Sequence, residues 1–509
     1  MTLEQLLDAV DVAADVHGAR HVAVSGLAVD SRRVAAGDLF FACQGQHQDG
    51  HRFIAEAIAR GAAAVVAERN DRGGAAVPFV VTRAVRRCLA LMAARFYDEP
   101  SRRLVALAVT GTNGKTTTTY LLEGIWRARG MATGVVGTIS YRYGDVVRPS
   151  PLTTPDALEL QRLLADMVAA GVEAVAVEVS SHALALDRVR GCHWDAAVFT
   201  NLTHDHLDFH PDLEAYYASK ARLFHDHLRA SGKAQRVAVV GIDNAYGRRL
   251  AAEIEGRVIT FGRDRTADVH PLDVRQTLRG MEGTISVLGA PLRLSSALIG
   301  VHHLQNVMAA AAAAGGLGLP IDVIEAGLRA CSTVPGRLER VGSSSGAAVF
   351  VDYAHTPDAL EGAIAALRAL CAGRVITVFG CGGDRDRTKR PVMGEVAART
   401  SDVVIVTSDN PRTEDPEAIL SDIEPGIRRG DLAPVSAAAL RAGERGYVRE
   451  PDRRTAIALA LDIAGVADVV LIAGKGHENY QIVGAERRHF DDRDEVRALQ
   501  GSAGYRVAE

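Results

Sequence analysis

The chain has 509 residues, 48% hydrophobic and 24% charged, with a formal net charge of −4. At about 100 to 200 residues per domain, this length implies two to four domains, and the near-neutral balance argues against an extended nucleic-acid surface. The start MTLEQLLDAVD places acids where a secretory leader has bases, no run of about eighteen charge-free apolar residues follows, and six scattered cysteines form no CxxC pair; together these predict a reduced cytoplasmic protein, neither exported nor membrane-spanning.

Over the first hundred residues, short apolar runs (HVAVSGLAV, AAAVVAE, PFVVT) alternate with helical stretches such as IAEAIARG. DEPSRR at 98–103 interrupts this periodicity, and Pro100 marks a boundary near residue 100. LVALAVT (104–110), a glycine-containing loop and TTTYLLEGIWRARG then read as strand, loop and helix, with Gly130 a natural helix stop. EAVAVEVS (173–180), AAVFTNL (196–202), RVAVVG (236–241) and RVITF (257–261) are near-continuous apolar runs, which predict α/β layers around a largely parallel sheet. NVMAAAAAAGGLGL (306–319) reads as a close-packed helix ending at glycines, and SSSG (343–346) as a turn. A third α/β region begins near 335 with AAVFVDYAH, RVITVFGCGG, DVVIVTSDNP and DVVLIAGKG. Each of these runs turns polar or glycine-rich at its C-terminal end, the side of an open sheet where ligands bind. The predicted division is 1–100, 101–334 and 335–509.

The strongest local signal is GTNGKTT, comprising Gly111, Thr112, Asn113, Gly114, Lys115, Thr116 and Thr117. Its glycines let backbone N–H groups converge on phosphates, Lys115 adds positive charge, and Thr116 suits a magnesium ligand. The general GxxxxGK[ST] pattern has a further glycine where this chain has Val109. Phosphate binding by itself does not separate ATPases, kinases, motors and ligases. EVSSHAL (178–184) and NLTHDHLDFH (201–210) follow two apolar strands, which would bring Glu178 and His206 beside the loop to hold magnesium; His182, His204 and His210 stay ambiguous. No HExxH or cysteine-ligand spacing supports a zinc hydrolase. Taken alone, Lys220 reads as an exposed helical lysine and DNPR (409–412) as a turn.

The ordered set DSRRVAAGDLF, DGHRF, GTNGKTT, TTP (153–155), EVSSHAL, NLTHDHLDFH, YYASKARLF (216–224), VPGRLE (334–339), VDYAHTPDAL, FGCGGDRDRTKRP (379–391), SDNPR (408–412) and AGKGHE (473–478) resembles the Mur ligase family, in particular its diaminopimelate-adding branch. The resemblance runs through all three regions. It implies an N-terminal domain for a UDP-precursor, a central P-loop ATPase domain and a C-terminal Rossmann-like domain for the incoming amino acid. It further implies that Ser31, Thr153, Thr154, Ser180 and Arg188 contact the UDP-muramoyl dipeptide, and that Asn306, Arg337, Asp352, Tyr353 and His355 surround the nucleotide. Lys220 matches a lysine that the family carbamylates, making an anionic group beside a second magnesium. GVHHLQN (300–306) departs from the family form GxFNVxN, which puts the contact of His303 in doubt.

What the resemblance implies for the reaction is ATP-driven addition of meso-2,6-diaminopimelate to UDP-N-acetylmuramoyl-L-alanyl-D-glutamate through an acyl phosphate, with Mg2+ as cofactor and ATP as cosubstrate, by a monomer. Lys115, Glu178, His206 and Lys220 would serve catalysis, with Thr116, Glu178, His206 and Lys220 around the metal; the acceptor of the amine's proton is unassigned. In this branch Asp409, Asn410, Pro411 and Arg412 match the motif that reads the distal end of the amino acid, and Arg385, Gly474 and Glu478 match other substrate positions. Arg412 would pair with the carboxylate that diaminopimelate has and lysine lacks. A lysine-adding ligase, a folate-polyglutamate ligase and an ATP-dependent interaction switch are the competing readings.

Overall fold

The computed structural model describes residues 1–45, 48–70, 76–206, 209–344 and 346–502. The chain builds three principal sheets in sequence order, each with apolar clusters on both faces.

The first sheet comprises β1 (Asp15–His17), β2 (Gly26–Ala28), β3 (Asp38–Phe41), β4 (Ala64–Ala67) and β5 (Phe79–Val81), in the order β1-β5-β4-β3-β2. The helix Val85–Phe96 and a 3-10 turn at Pro100–Arg103 then lead into the second sheet.

That sheet has eleven strands: β6 (Val105–Thr110), β7 (Thr133–Val136), β8 (Ser140–Tyr143), β9 (Val146–Pro149), β10 (Ala174–Glu178), β11 (Ala196–Phe199), β12 (Val237–Gly241), β13 (Val258–Phe261), β14 (Val269–Thr277), β15 (Gly280–Val287) and β16 (Ala290–Ser296). Its order is β16-β15-β14-β13-β12-β11-β6-β10-β7-β8-β9. The four apolar runs at 173–261 supply β10 to β13, and pairing is parallel from β14 across to β7. The expectation of a largely parallel sheet needs correction at both ends, where β14-β15-β16 and β7-β8-β9 are antiparallel meanders. In β14 and β16 buried and exposed residues are interspersed, because one face is solvated, so no continuous apolar run announces them. The helix Lys115–Ala128 ends as expected, with Gly130 at φ 87 just beyond it. The alanine-rich helix is Val301–Gly316, and Val307 to Ala314 within it are all fully buried against the sheet.

The third sheet comprises β17 (Glu339–Ser344), β18 (Ala347–Asp352), β19 (Val375–Phe379), β20 (Val403–Val406), β21 (Gly446–Arg449) and β22 (Val469–Ala473), ordered β17-β18-β22-β19-β20-β21 and parallel except for β17. Ser343 and Ser344, expected in a turn, instead pair with Ala348 and Ala347 as the end of β17; Ser345 lies outside the described residues. A two-stranded hairpin, β23 (Tyr480–Val483) and β24 (Glu486–His489), stands beside the strand ends. Among the described residues no helix is long and apolar enough to cross a membrane.

Candidate active site

The strand order β10-β6-β11 explains the first cluster, because the glycine loop leaves the C-terminal end of β6 between the ends of its two neighbours. The segment after β11 staples the loop: Asn113 donates its N–H to the Asn201 side chain (2.9 Å), Thr112 donates to the Asn201 carbonyl (2.9 Å), and the Thr200 hydroxyl donates to the Asn113 carbonyl (2.5 Å). Gly111 has φ 147, and a Cβ there would sit 1.9 Å from Thr200 Oγ1, so only glycine permits this approach. At Gly114 (φ 89) a Cβ would lie 2.3 Å from Asn306 Oδ1, which places buried Asn306 directly over the loop.

Glu178, 1% exposed at the end of β10, accepts from the Thr116 hydroxyl (3.0 Å) and from the N–H (2.9 Å) and hydroxyl (2.8 Å) of Thr138. Thr153 is linked to the same group through Thr138 (3.1 Å). The Thr154 hydroxyl donates to the Glu178 carbonyl (2.7 Å) and accepts from the Ser180 N–H (3.1 Å), while Arg188 donates to the Thr154 carbonyl (3.0 Å). Thr153, Thr154, Ser180 and Arg188 therefore form one shelf beside Glu178. Ser31 stands apart in the first region, where its hydroxyl donates to Glu56 (2.8 Å).

Two lysines converge on this loop. Lys115 donates to the carbonyls of Gly111 (2.9 Å) and Thr112 (2.8 Å), and Lys220 donates to the same Gly111 carbonyl (2.9 Å). The reading of Lys220 as an exposed helical lysine is overturned: it is 1% exposed and lies 4.5 Å from the Tyr216 ring centroid, on the helix Leu213–Arg222 that widens into a π-helix at Leu223–Leu228. Burial lowers the pKa of both amines, and the Lys115 charge lowers Lys220 further. His206 takes a left-handed backbone (φ 55), accepts no charge readily because burial holds it down to about 4, and sits with Nε2 3.5 Å from Asp205. The rings of His182 and Tyr216 lie 5.0 and 5.9 Å from it. Leu207 and Asp208 of the same motif lie outside the described residues. No group of three or more His, Cys, Asp or Glu side chains is gathered for a metal among the described residues. Thr116 and Glu178 nevertheless present adjacent oxygens of the kind a hard cation takes.

The third sheet offers its own strand ends to this loop. Arg337 donates to the Thr116 hydroxyl (3.2 Å) and lies 4.8 Å from the Tyr353 ring centroid. Asp352, at the end of β18, accepts from the N–H groups of Leu338 (2.7 Å) and Ala354 (2.8 Å); burial pushes its carboxyl up to about 6. His355 Nδ1 lies 2.8 Å from the Tyr353 carbonyl, and Lys389 donates to the His355 carbonyl (2.8 Å). His303 is buried with its ring 4.5 Å from that of His302, and burial holds it neutral.

After β20 and β22 lies a second polar cluster. Asn410 donates to Glu478 (2.9 Å) and accepts from the Ile482 N–H (3.0 Å), so the hairpin β23-β24 is tied to the DNPR segment. Arg412, at φ 53, donates its N–H to the Ile482 carbonyl (3.0 Å) and its Nη1 to Gly383 (2.7 Å). DNPR is thus not a bare turn: Asp409, Asn410 and Pro411 are buried. A Cβ at Gly474 would lie 3.6 Å from Asp409. Arg385 remains exposed, donating to the neighbouring Asp384 carbonyl (3.1 Å). Burial, then Asp409, raises the pKa of Glu478. Sequence reasoning assigned no role to Thr138, Asp205, Asn201, Lys389 or Lys475. Lys475 was visible inside AGKGHE, whereas Thr138 carries no local signal.

Three family models match successive parts of the chain: Mur ligase family, catalytic domain (residues 23–97), Mur ligase middle domain (109–314) and Mur ligase, glutamate ligase domain (336–476). A UDP-N-acetylmuramoyl-L-alanyl-D-glutamate–2,6-diaminopimelate ligase of Geobacter sulfurreducens is 47% identical over 97% of this chain and 98% of the relative; its namesake in Gloeobacter violaceus is 48% identical over 98% and 97%. A solved structure of a ligase with that name superposes with a TM-score of 0.70 at 32% identity, covering 99% of this chain and all of the other. Folylpolyglutamate synthase of Mycobacterium tuberculosis, complexed with ADP, shares the fold at a TM-score of 0.60 and 21% identity, over 77% of this chain and 91% of that one. With its α/β architecture and three successive matches, the chain belongs to the Mur ligase family.

Proposed function

We propose that this chain joins meso-2,6-diaminopimelate to the D-glutamyl carboxylate of UDP-N-acetylmuramoyl-L-alanyl-D-glutamate, consuming ATP and releasing ADP and phosphate. The observation that carries the reading is the Thr116 hydroxyl, which donates to Glu178 on the central sheet and accepts from Arg337 of the third region. That hydroxyl links the glycine loop to the opening residues of the third region, the region that bears DNPR. The names of the full-length relatives supply the substrates.

In this reading residues 1–100 bind the UDP-precursor, 101–334 form a P-loop ATPase domain, and 335–509 form a Rossmann-like domain for the amino acid. A carboxylate is a poor acyl electrophile, so its phosphorylation provides the leaving group that amide formation needs. The N–H groups at the start of the helix Lys115–Ala128 would cradle the phosphates, those of Thr112 and Asn113 being given to Asn201, with Lys115 supplying positive charge beside them. Thr116, Glu178 and His206 would hold magnesium, which when bound supplies neutralisation of charge on the transferring phosphoryl group. Lys220 joins that set as a carbamate: its buried amine is easily neutral and therefore reactive toward carbon dioxide, and neighbouring Lys115 stabilises the resulting anion. Asn306, Arg337, Asp352, Tyr353 and His355 line the nucleotide, and Ser31, Thr153, Thr154, Ser180 and Arg188 the precursor. Arg385, the DNPR segment, Gly474 and Glu478 receive the amino acid. All six cysteines are free, which suits a reducing cytoplasm.

The test supplies ATP, magnesium, the UDP-muramoyl dipeptide and either meso-diaminopimelate or L-lysine, and identifies products by mass. The expected product carries diaminopimelate, with lysine used at least about a hundredfold less well because it leaves the Arg412 guanidinium unpaired. A lysine-linked product of equal yield overturns the substrate assignment.

A further inference from the structure

Lys475 is a buried charged group of the third region that the proposed reaction leaves unused. It follows β22 directly, between Gly474 (φ 116) and Gly476 (φ 52), and these two reversals turn its side chain inward. The side chain is 0% exposed, and a lysine is buried to this extent only when it is paired. Its Nζ lies 3.6 Å from Asp409 Oδ1, 3.6 Å from Glu478 Oε2 and 3.4 Å from Asn410 Oδ1, with the Tyr480 ring centroid at 5.5 Å.

We propose that Lys475 is a positioning residue for the incoming amino acid, holding Asp409, Asn410 and Glu478 as one cluster. The inference rests on the amino-acid site read above. Two carboxylates face the one buried ammonium of Lys475. Arg453, the other buried cation nearby, is committed to Asp492 at 2.7 Å, and Arg412 directs Nη1 to the Gly383 carbonyl. Lys475 also orients the amide: Asn410 Oδ1 is held by Lys475 and the Ile482 N–H, which leaves Nδ2 to fix Glu478. Burial and Asp409 both push Glu478 toward its protonated form, and Lys475 opposes them, keeping it an acceptor.

The test measures steady-state kinetics of full-length wild type, Lys475→Gln, Glu478→Gln and the double variant, each with ATP and precursor saturating and the amino acid varied. Lys475→Gln should raise the KM of the amino acid about tenfold or more, the usual effect of losing a charged hydrogen bond, while the KM values of ATP and precursor stay within about twofold. Because Lys475 acts through Glu478, its substitution should add less than about threefold in the Glu478→Gln background. An unchanged amino-acid KM, an equal rise in all three KM values, or full additivity in the double variant overturns the proposal. Should Lys475→Gln fail to fold, Lys475→Arg displaces the same charge and is judged by the same selective rise in amino-acid KM. If the wild type joins a different amino acid, the substrate reading fails on its own, and the same comparison made with that amino acid still decides the role of Lys475.

Discussion

Arg412 shows how much of this site depends on single residues. Its left-handed backbone, which residues with a Cβ seldom adopt, is held by a hydrogen bond to the Ile482 carbonyl and by the Gly484 N–H donated to its own carbonyl (2.6 Å). From this position the guanidinium is anchored on the Gly383 carbonyl. Arg412→Ala should therefore raise the KM for meso-diaminopimelate by about ten- to a thousandfold, the range for losing a bidentate charged pair, with the KM for ATP little changed; initial-rate kinetics on folded protein check this. Lys220 makes the complementary point. Its helix alone marks it as a solvated lysine, and only the position of Gly111 against that helix makes it a buried amine.

At the scale of elements, close helix packing behind the glycine loop sets the position of Lys115. The helices Lys115–Ala128 and Ile321–Ala330 meet at Gly124 and Gly327, and a Cβ on Gly327 would fall 2.3 Å from Ile125 Cα. Gly327→Ala gains up to about 1 kcal/mol of helix propensity but forces the two backbones apart. The steric term should win, with a net loss of roughly 1–3 kcal/mol seen as a lower urea midpoint. The alanine-rich helix Val301–Gly316 follows the same logic, since small side chains let it lie close enough to the sheet to carry Asn306 over Gly114. The meander β14-β15-β16 escaped the sequence reading for the opposite reason: its half-solvated strands mix polar with apolar residues.

Across the whole molecule, several buried or half-buried histidines are held neutral. Burial pushes His227 and His477 down to about 3 and His302 down to about 4, against 6.5 for a free side chain. Below pH 6.5 the unfolded chain takes up protons that the folded chain refuses, so this contribution to stability is complete above 6.5 and is lost as pH falls toward 3 to 4. Tm should decline from pH 6.5 to 4, and His227→Leu should flatten the decline; an identical slope in that variant would remove His227 from the explanation. His227 is a favourable test because its Nε2 is buried without a hydrogen-bond partner among the described residues.

The apolar strands, the glycine loop and the polar motifs at strand ends were legible from residue order, because buried parallel strands must be continuously apolar and phosphate cradles need small residues at set spacing. Resemblance to one family added the order of the regions and the candidate residues. Tertiary structure alone decided which side chains meet: Glu178 with Thr138, Thr116 with Arg337, Lys115 with Lys220, and Lys475 with Asp409. Those pairings join residues far apart in the chain, and their distances follow from strand order and helix packing, which no local pattern of residues encodes.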